Sequence, residues 1–484
     1  MSADGIATGV TDAFHNIGAF AHDLVRPTLR LGVTGLARSG KTVFITALVH
    51  NLLAGGRLPF FDPVAQGRLV RAYLEPQPDD TVPRFDYERH LAELTGTPPR
   101  WPESTRRLAQ LRLTLEFEPQ GTLRRAMGLN HLHVDIVDYP GEWLLDLPLL
   151  EKTFGEWSAE AIGMSEAPHR KELSARWRRH LRTLDPSGEA DEAAAARTSD
   201  LFREYLAAAR GDPGTVSTLP PGRFLMPGEL EGSPALTFSP MPATAEPAGP
   251  RSLWAMMARR YEAYKAHVVK PFFRDHFARL DRQIVLVDAL TGVNGGPEAL
   301  ADLEHALKDI LSCFRPGANS WLSRILFRRI DRILFAATKA DHLHHTSHDR
   351  LEAVLGMLTR SAMERAEFSG ARVDVLALAS VRSTREGKAR VSGEELPVIV
   401  GRPLKGERIG RRSFDGDEEY AVFPGDLPED PAELFEDRGR RQPVRIEMVR
   451  FRPPDAGTAN GRTAALPHIR LDRAMNFLIG DRLR

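Results

Sequence analysis

Eight residues near the start of the chain have the types and spacing of a phosphate-binding loop. They follow the pattern G-x-x-x-x-G-K-[ST], with Gly35, Gly40, Lys41 and Thr42 at the specified positions. Glycines allow a tight turn whose N–H groups converge on an anion, Lys41 would reach the β- and γ-phosphates, and the Thr42 hydroxyl would bind Mg²⁺. The predicted nucleotide contacts of this loop are Gly35, Ala37, Arg38, Ser39, Gly40, Lys41, Thr42 and Val43.

The residues on either side of the loop predict the elements that must position it. Leu29, Leu31 and Val33 alternate with more polar residues, which indicates a strand. Apolar residues then recur at helical spacing from Phe44 to Leu52, which predicts an amphipathic helix. Arg38 could supply positive charge near the γ-phosphate, or it could face solvent or a partner.

A second motif, Asp138-Tyr139-Pro140-Gly141, has the form D-x-x-G and follows a predicted strand. The Asp138 carboxylate is expected to hold Mg²⁺, usually through water, while the Gly141 N–H would bind the γ-phosphate. Loss of that phosphate would release the segment that follows, which is how a conformational switch works.

A third motif, Thr338-Lys339-Ala340-Asp341, matches the [N/T]KxD pattern of guanine recognition. Asp341 would accept hydrogen bonds from the guanine N1–H and exocyclic amine, and the stem of Lys339 would lie along the base. Adenine offers neither donor, so it would leave a buried carboxylate unpaired. After the next predicted strand, Ser380 and Val381 are candidates for a backbone contact with the guanine O6.

Residues next to these motifs are candidates for catalysis. Glu142 stands where small Ras-like GTPases carry the Gln that positions the attacking water. A carboxylate could orient water or act as a base, but it would also repel the γ-phosphate. We therefore predict slow, Mg²⁺-dependent hydrolysis with Lys41 and Glu142 as catalytic residues. Thr105 is preferred as a further catalytic and Mg²⁺-binding residue, ahead of Ser104 and Thr97.

Strand and helix patterns predict the fold class and the division into domains. Apolar runs at 282–290, 333–341 and 372–380 alternate with helical segments, so the fold class is α/β, with a doubly wound, mostly parallel sheet of the P-loop NTPase type. Residues 1–141 and 282–388 would form the nucleotide-binding domain, with an N-terminal helix within 1–28. Residues 142–281 read as a large helical insertion, and 389–484 as a small β-rich domain.

Bulk composition narrows the class of protein. The formal net charge of the 484 residues is zero, which gives no support for a nucleic-acid partner. Cys313 is the single cysteine, so an intramolecular disulfide is impossible and a reducing cytoplasm is expected. No apolar run approaches the length of a bilayer span, so any contact with the inner membrane would be peripheral.

Together these motifs, with "DYPGEWLLDLPLL", "RIDRILFAATKADHL" and "VVKPFFRDHFARLDRQIVLVD", resemble the YcjX-like family of bacterial, stress-associated P-loop proteins. The resemblance implies a Ras-like core with a helical insertion and a further domain, and binding of GTP and GDP. The insertion would offer a surface for a protein partner or activator. An ATPase of the same class, or a nucleotide-stabilised scaffold without meaningful turnover, remains an alternative.

Overall fold

The structure is a computed structural model, and the residues that it describes fall into consecutive segments separated by short gaps. They are 27–36, 38–103, 107–121, 125, 130–211, 219–225, 227, 232–244, 248–312, 330–368, 370–391, 394–435, 446–459 and 462–484. The N-terminal helix predicted within 1–28 lies almost wholly outside these segments. Its last residue, Thr28, begins the first strand.

Within the described residues, seven strands form one central sheet. They are β1 Thr28–Gly35, β2 Leu69–Glu75, β3 Ala109–Phe117, β4 His131–Asp138, β5 Arg282–Val287, β6 Arg332–Ala337 and β7 Arg372–Ala377. The order across the sheet is β2-β3-β4-β1-β5-β6-β7. β4, β1, β5, β6 and β7 run parallel, whereas β2 and β3 are antiparallel to their neighbours. The predicted α/β fold class is therefore confirmed.

Helices surround this sheet on both faces. In chain order they are α1 Lys41–Leu53, α2 Asp62–Ala65, α3 Tyr87–Thr95, α4 Phe154–Met164, α5 Pro168–Lys171, α6 Ala175–Leu181, α7 Glu192–Gly211, α8 Leu253–Tyr264, α9 Lys270–Asp275, α10 Ala289–Gly295, α11 Pro297–Ser312, α12 His348–Phe368 and α13 Leu471–Ile479. Short 3₁₀ segments include Gly141–Glu151, Gly222–Phe224 and Ala340–His342, and a π-helical turn spans Lys265–Val269. In the part of the chain that is described, no helix has both the length and the apolar character to cross a membrane.

The two faces of the sheet bury separate hydrophobic cores, and a single strand contributes to both. In β5, Ile284 and Leu286 pack with α1 and α13, while Val285 and Val287 pack on the side of α10, α11 and α12. Because successive side chains of a strand point to opposite faces, a strand covered on both sides must be apolar throughout. This explains the unbroken apolar run that marks β5 in the sequence.

The helical insertion leaves the sheet after β4 and returns at β5, and it has an aromatic interior. Trp157 of α4 stacks on Tyr261 of α8, with ring centroids 5.1 Å apart, and Trp177 of α6 stacks on Tyr205 of α7. The insertion shares one continuous core with the adjoining face of the sheet. It is therefore packed onto the sheet rather than carried on an extended linker.

The C-terminal part contains a small antiparallel sheet and a helix that belongs to the central core. β8 Arg385–Val391, β9 Glu394–Gly401 and β12 Tyr420–Val422 pair in the order β12-β9-β8, and the short pairs β10 Arg408–Ile409 with β11 Arg412–Ser413 and β13 Thr458–Ala459 with β14 Arg462–Thr463 flank them. The division predicted between 388 and 389 falls inside β8. Helix α13, predicted to lie in the β-rich domain, instead buries its apolar face with β5 and β6. The domain division itself stays a prediction.

The first strands also differ in one respect from the sequence-based expectation. The segment 55–108 was predicted to be a connection with one helix, yet it contains α2, α3 and the edge strand β2. β2 is partly exposed along its length and lacks the strict apolar alternation of β3. An edge strand with one covered face gives a weak sequence signal, because cross-strand pairing stabilises it more than its own composition does.

Arg282 is fully buried where β5 begins, and it joins the sheet to the C-terminal helix. Its guanidinium donates to Asp331 Oδ1 at 2.9 Å and to Asp481 Oδ2 at 2.7 Å, and also to the Leu478 carbonyl. A buried guanidinium requires such partners because it has lost its hydration. The network therefore fixes α13 against the strand ends opposite the candidate site.

We expect Arg282→Ala to lower the free energy of unfolding by about 3 kcal/mol or more, because it leaves two carboxylates facing an emptied buried position. The matched control is Arg482→Ala, which removes an exposed partner 3.0 Å from the same Asp331 and should cost less than about 1 kcal/mol. Chemical denaturation of both variants measures the difference. Equal losses in the two variants would contradict the assigned role.

Candidate nucleotide-binding site

The phosphate-binding loop connects the carboxyl end of β1 to the start of α1. Gly40 has φ 84°, a left-handed conformation that suits glycine, and α1 begins at the next residue. The Lys41 ammonium donates to the Gly35 carbonyl at 2.9 Å. The Ser39 hydroxyl is buried and has no hydrogen-bond partner among the described residues. The loop thus combines a buried cation, an unsatisfied hydroxyl and a helix N-terminus, which together suit an anion.

Helix α1 is more deeply buried than an amphipathic helix would be. Its residues from Phe44 to Leu52 are all buried, polar ones included. The outer side is covered by the chain near Ala464 and Leu466, because Asn51 exchanges hydrogen bonds with the backbone of Leu466 and His50 bonds the Ala464 carbonyl. The predicted amphipathic pattern was therefore incomplete, since a segment more than 400 residues away shields the polar positions.

The D-x-x-G motif lies directly beside the phosphate-binding loop. Asp138 is the last residue of β4 and pairs with Val33 in β1, two residues before Gly35. Gly141 packs against the Gly35 carbonyl so closely that a Cβ at position 141 would overlap this oxygen. Asp138 is almost fully buried. The structure therefore brings together the two motifs that sequence reasoning assigned to the triphosphate.

Gly141→Ala should disrupt this contact, because the added methyl group cannot coexist with the Gly35 carbonyl without a backbone shift. We expect at least a tenfold loss of GTP or GDP affinity, together with a lower melting temperature. Gly163→Ala is the control, since a Cβ there meets open space on α4. Thermal melting with and without nucleotide measures both effects, and a wild-type response of Gly141→Ala would contradict the contact's importance.

The 3₁₀ segment that follows Gly141 is held by the helical insertion. Glu142 is buried and accepts a hydrogen bond from the Arg210 guanidinium of α7 at 2.7 Å. The Arg223 guanidinium lies over the Trp143 ring, 3.3 Å from its centroid. Gly222 packs on the Glu142 carbonyl with no room for a Cβ. Sequence reasoning identified Glu142 but none of these insertion residues, because no motif links them.

Asp146 is the buried centre of the same contact. Its carboxylate accepts hydrogen bonds from the Gly222 N–H at 2.7 Å, the Arg223 N–H at 3.3 Å and the Tyr264 hydroxyl at 2.6 Å. Burial raises the pKa of the Asp146 carboxyl to about 6, although the bonds from Tyr264 and Gly222 oppose the rise. The segment after Gly141 is therefore joined to the insertion through a carboxyl group that titrates near neutral pH.

This raised pKa predicts a pH dependence of stability. The folded protein favours protonated Asp146, so the contribution is fully present below the ordinary pKa of 3.8 and is lost as pH rises through about 6. A shift of about two units corresponds to roughly 3 kcal/mol. We expect Asp146→Asn to remove this component, so the difference in unfolding free energy between wild type and variant should change by that amount between about pH 4 and 7. Parallel pH profiles in chemical denaturation would contradict the prediction.

The third motif follows β6 and is fixed by the loop after β7. Asp341 is buried, and its Oδ2 accepts hydrogen bonds from the Ser383 N–H at 2.9 Å and the Ser383 hydroxyl at 2.6 Å. Lys339 has a left-handed backbone, with φ 62°, and its ammonium forms an ion pair with Asp288 after β5. The Ala340 N–H donates to the Leu378 carbonyl at 3.1 Å. The ends of β5, β6 and β7 are thereby tied together.

Ser380 and Val381 lie in this loop, but the hydrogen bonds to Asp341 come from Ser383. Val381 is buried and packs in the core on the α1 side, while Ser380 is half-buried. Ala379 forms a bridge with Ile469, and the Arg382 N–H donates to the Pro467 carbonyl at 2.7 Å. Ser383 and Asp288 are thus candidate site residues that sequence reasoning missed. A polar residue directly after each strand end was the available signal.

The remaining predicted residues occupy known positions or fall outside the described segments. Thr338 is buried beside Val287, to whose carbonyl its N–H donates at 2.9 Å. Arg38 is exposed with φ 64°, and Val43 lies in the first turn of α1. Ala37, Thr105 and Ser104 lie outside the described residues. Thr97 follows α3.

The donor set fits Mg²⁺, which prefers hydroxyl and carboxylate oxygens. Thr42 begins α1, and Asp138 ends the neighbouring strand β4, so both oxygens belong to the end of the sheet that carries the phosphate-binding loop. Both residues are at least 95% buried, with exposed fractions of 5% and 1%. Partial shielding from water strengthens the attraction between a carboxylate and a cation.

Known proteins are similar over nearly the whole chain. Residues 29–483 match the YcjX-like family, DUF463. A protein named Ras-like GTPase YcjX from Escherichia coli (strain K12) is 40% identical over 468 residues, covering 94% of this chain and 96% of that protein. Another of that name, from Shewanella oneidensis, is 33% identical over 496 residues, covering 97% and 99%. The resemblance inferred from the motifs is confirmed, and with it the Ras-like P-loop core.

Proposed function

This chain belongs to the YcjX-like family, and from that premise we propose that it is a GTPase: it binds GTP and hydrolyses it to GDP and phosphate. The observation that carries the proposal is the common position of four sites at the carboxyl ends of parallel strands. The phosphate loop follows β1, D-x-x-G follows β4, Asp341 follows β6 and Ser383 follows β7. Such strand ends are where a doubly wound sheet binds its ligand.

The phosphates would be bound by the loop between Gly35 and Thr42. Lys41, which donates to the Gly35 carbonyl in this structure, would turn to the β- and γ-phosphates. The Gly141 N–H would bond the γ-phosphate from the other side, since Gly141 already contacts the loop. Thr42 and Asp138 would hold Mg²⁺, which when bound neutralises charge between the phosphates.

The base would be read by Asp341. Both hydrogen bonds from Ser383 reach Oδ2, so the carboxylate is held in one orientation while Oδ1 can accept from a guanine N–H. Lys339 is aligned by its ion pair with Asp288. A carboxylate acceptor fits the two donors on the guanine edge and not the corresponding edge of adenine. These contacts support guanine over adenine.

Turnover is proposed to be slow, because Glu142 occupies the position of the water-orienting residue and its carboxylate is engaged by Arg210. Catalysis would then depend mainly on Lys41, Mg²⁺ and backbone amides. Thr105 stays a prediction as a further Mg²⁺-binding residue.

A switch function is proposed for the segment Gly141–Glu151. Its first residue faces the phosphate loop, whereas Glu142 and Asp146 bind the insertion. Loss of the γ-phosphate would release one end of this segment, and the insertion would respond through the other end. A protein partner or activator that binds the insertion could read that change. The stress-related role, the cytoplasmic location and peripheral contact with the inner membrane stay predictions.

Asp341→Asn tests base recognition most directly. We expect GTP affinity to fall on the order of a hundredfold or more, and xanthosine triphosphate, whose edge offers an acceptor in place of the amine, to be favoured instead. Equilibrium titration of GTP, ATP and xanthosine triphosphate measures this for wild type and variant. Tighter binding of ATP than of GTP by the wild type would refute the guanine assignment.

Hydrolysis is followed in the same preparations by chromatography of the products after prolonged incubation with GTP and Mg²⁺. Lys41→Ala is the control for a contaminating hydrolase, because it removes the phosphate-binding cation. GDP formed by the wild type and not by Lys41→Ala supports the GTPase. Binding without GDP formation would favour a nucleotide-stabilised scaffold.

A further inference from the structure

Glu142 presents a carboxylate next to the place proposed for the γ-phosphate. It is bonded to Gly141, whose backbone touches the Gly35 carbonyl, and neighbouring Cα atoms are about 3.8 Å apart. Two negative groups so close to one another, and shielded from water, repel strongly. The proposed triphosphate site therefore requires some compensation for the charge of Glu142.

Arg210 supplies a positive charge at this position. One guanidinium nitrogen lies 2.7 Å from Glu142 Oε1, and the Glu142 side chain is only 4% exposed while that of Arg210 is 28% exposed. A buried carboxylate depends on its partner much more than an exposed one does. Arg210 belongs to α7, which lies in the helical insertion and not in the sheet domain that carries the motifs.

The geometry keeps this pair in place from both sides. The Glu142 carbonyl is covered by Gly222, which has no side chain to hold the two segments apart, and Trp143 lies under the Arg223 guanidinium. The Asp146 carboxylate fixes the same loop through the Gly222 N–H. The backbone of Glu142 is thus anchored on the insertion while Gly141 faces the phosphate loop.

We propose that Arg210 is a positioning residue for the nucleotide site: it orients Glu142 and offsets its charge, so that the site accepts a triphosphate. This inference rests on the proposed function and adds to it a contribution of the insertion to GTP affinity. Because GDP lacks the γ-phosphate, Arg210 should matter for GTP and not for GDP.

The test compares the affinities of GDP and a non-hydrolysable GTP analogue by equilibrium titration. Arg210→Ala should weaken the analogue about tenfold to a hundredfold, since it leaves the Glu142 charge uncompensated, and should leave GDP within about threefold of wild type. Arg210→Lys should restore part of the loss because it retains the charge. Arg197→Ala, an exposed arginine on the same helix, should change neither affinity.

The double variant Glu142→Gln/Arg210→Ala separates charge compensation from a merely structural role. If Arg210 acts through the charge of Glu142, the double variant should bind the analogue within about threefold of Glu142→Gln alone. Removing both charges also avoids an unpaired buried carboxylate, so this variant remains informative if Arg210→Ala folds poorly. Melting temperatures of all variants check folding.

Three results would overturn the inference: equal weakening of GDP and the analogue by Arg210→Ala, no effect on either, or no recovery in the double variant. These differ from failure of the proposed function, in which the wild type itself would bind neither guanine nucleotide. In that case the inference falls together with the GTPase proposal. Wild-type binding with an unaffected Arg210→Ala would overturn the inference alone.

Discussion

Gly141 lies against the carbonyl oxygen of Gly35, and the space between the two backbones is too small for a side chain. This contact depends on the parallel pairing of β1 with β4, which brings Asp138 beside Val33 and so carries both loops to one edge of the sheet. The placement of the buried Lys41 and Asp138 follows from the same pairing. The site can exist only while these two strand ends remain in register.

The helical insertion acts on the site through the residues next to Gly141. It encloses Glu142 and Asp146 in polar contacts from Arg210, Gly222 and Tyr264, within a core that is otherwise aromatic and apolar. Buried polar groups of this kind are stable only when each has a partner, so a movement of the segment changes several bonds at once. The insertion is thus mechanically coupled to the phosphate side of the sheet.

The base side of the site has a different support. Asp341 is oriented by Ser383, and the loop containing Ser383 is itself held by backbone hydrogen bonds to Pro467 and Ile469. The same C-terminal stretch continues into α13 and the Arg282 network. A segment that sequence patterns assigned to a separate β-rich domain therefore stabilises both the base loop and the far end of the sheet.

The sequence by itself determined the strands, the fold class and the identity of the motif residues, because phosphate binding and strand burial each demand particular residue types at fixed local spacing. Spacing could not identify Arg210, Ser383 or Asp288, which reach the motifs from elements far along the chain. It also could not show that Ala464 and Leu466 cover α1, or that α13 joins the central core. Such contacts were decided by the tertiary structure alone, since they depend on which buried polar groups meet when distant segments pack together.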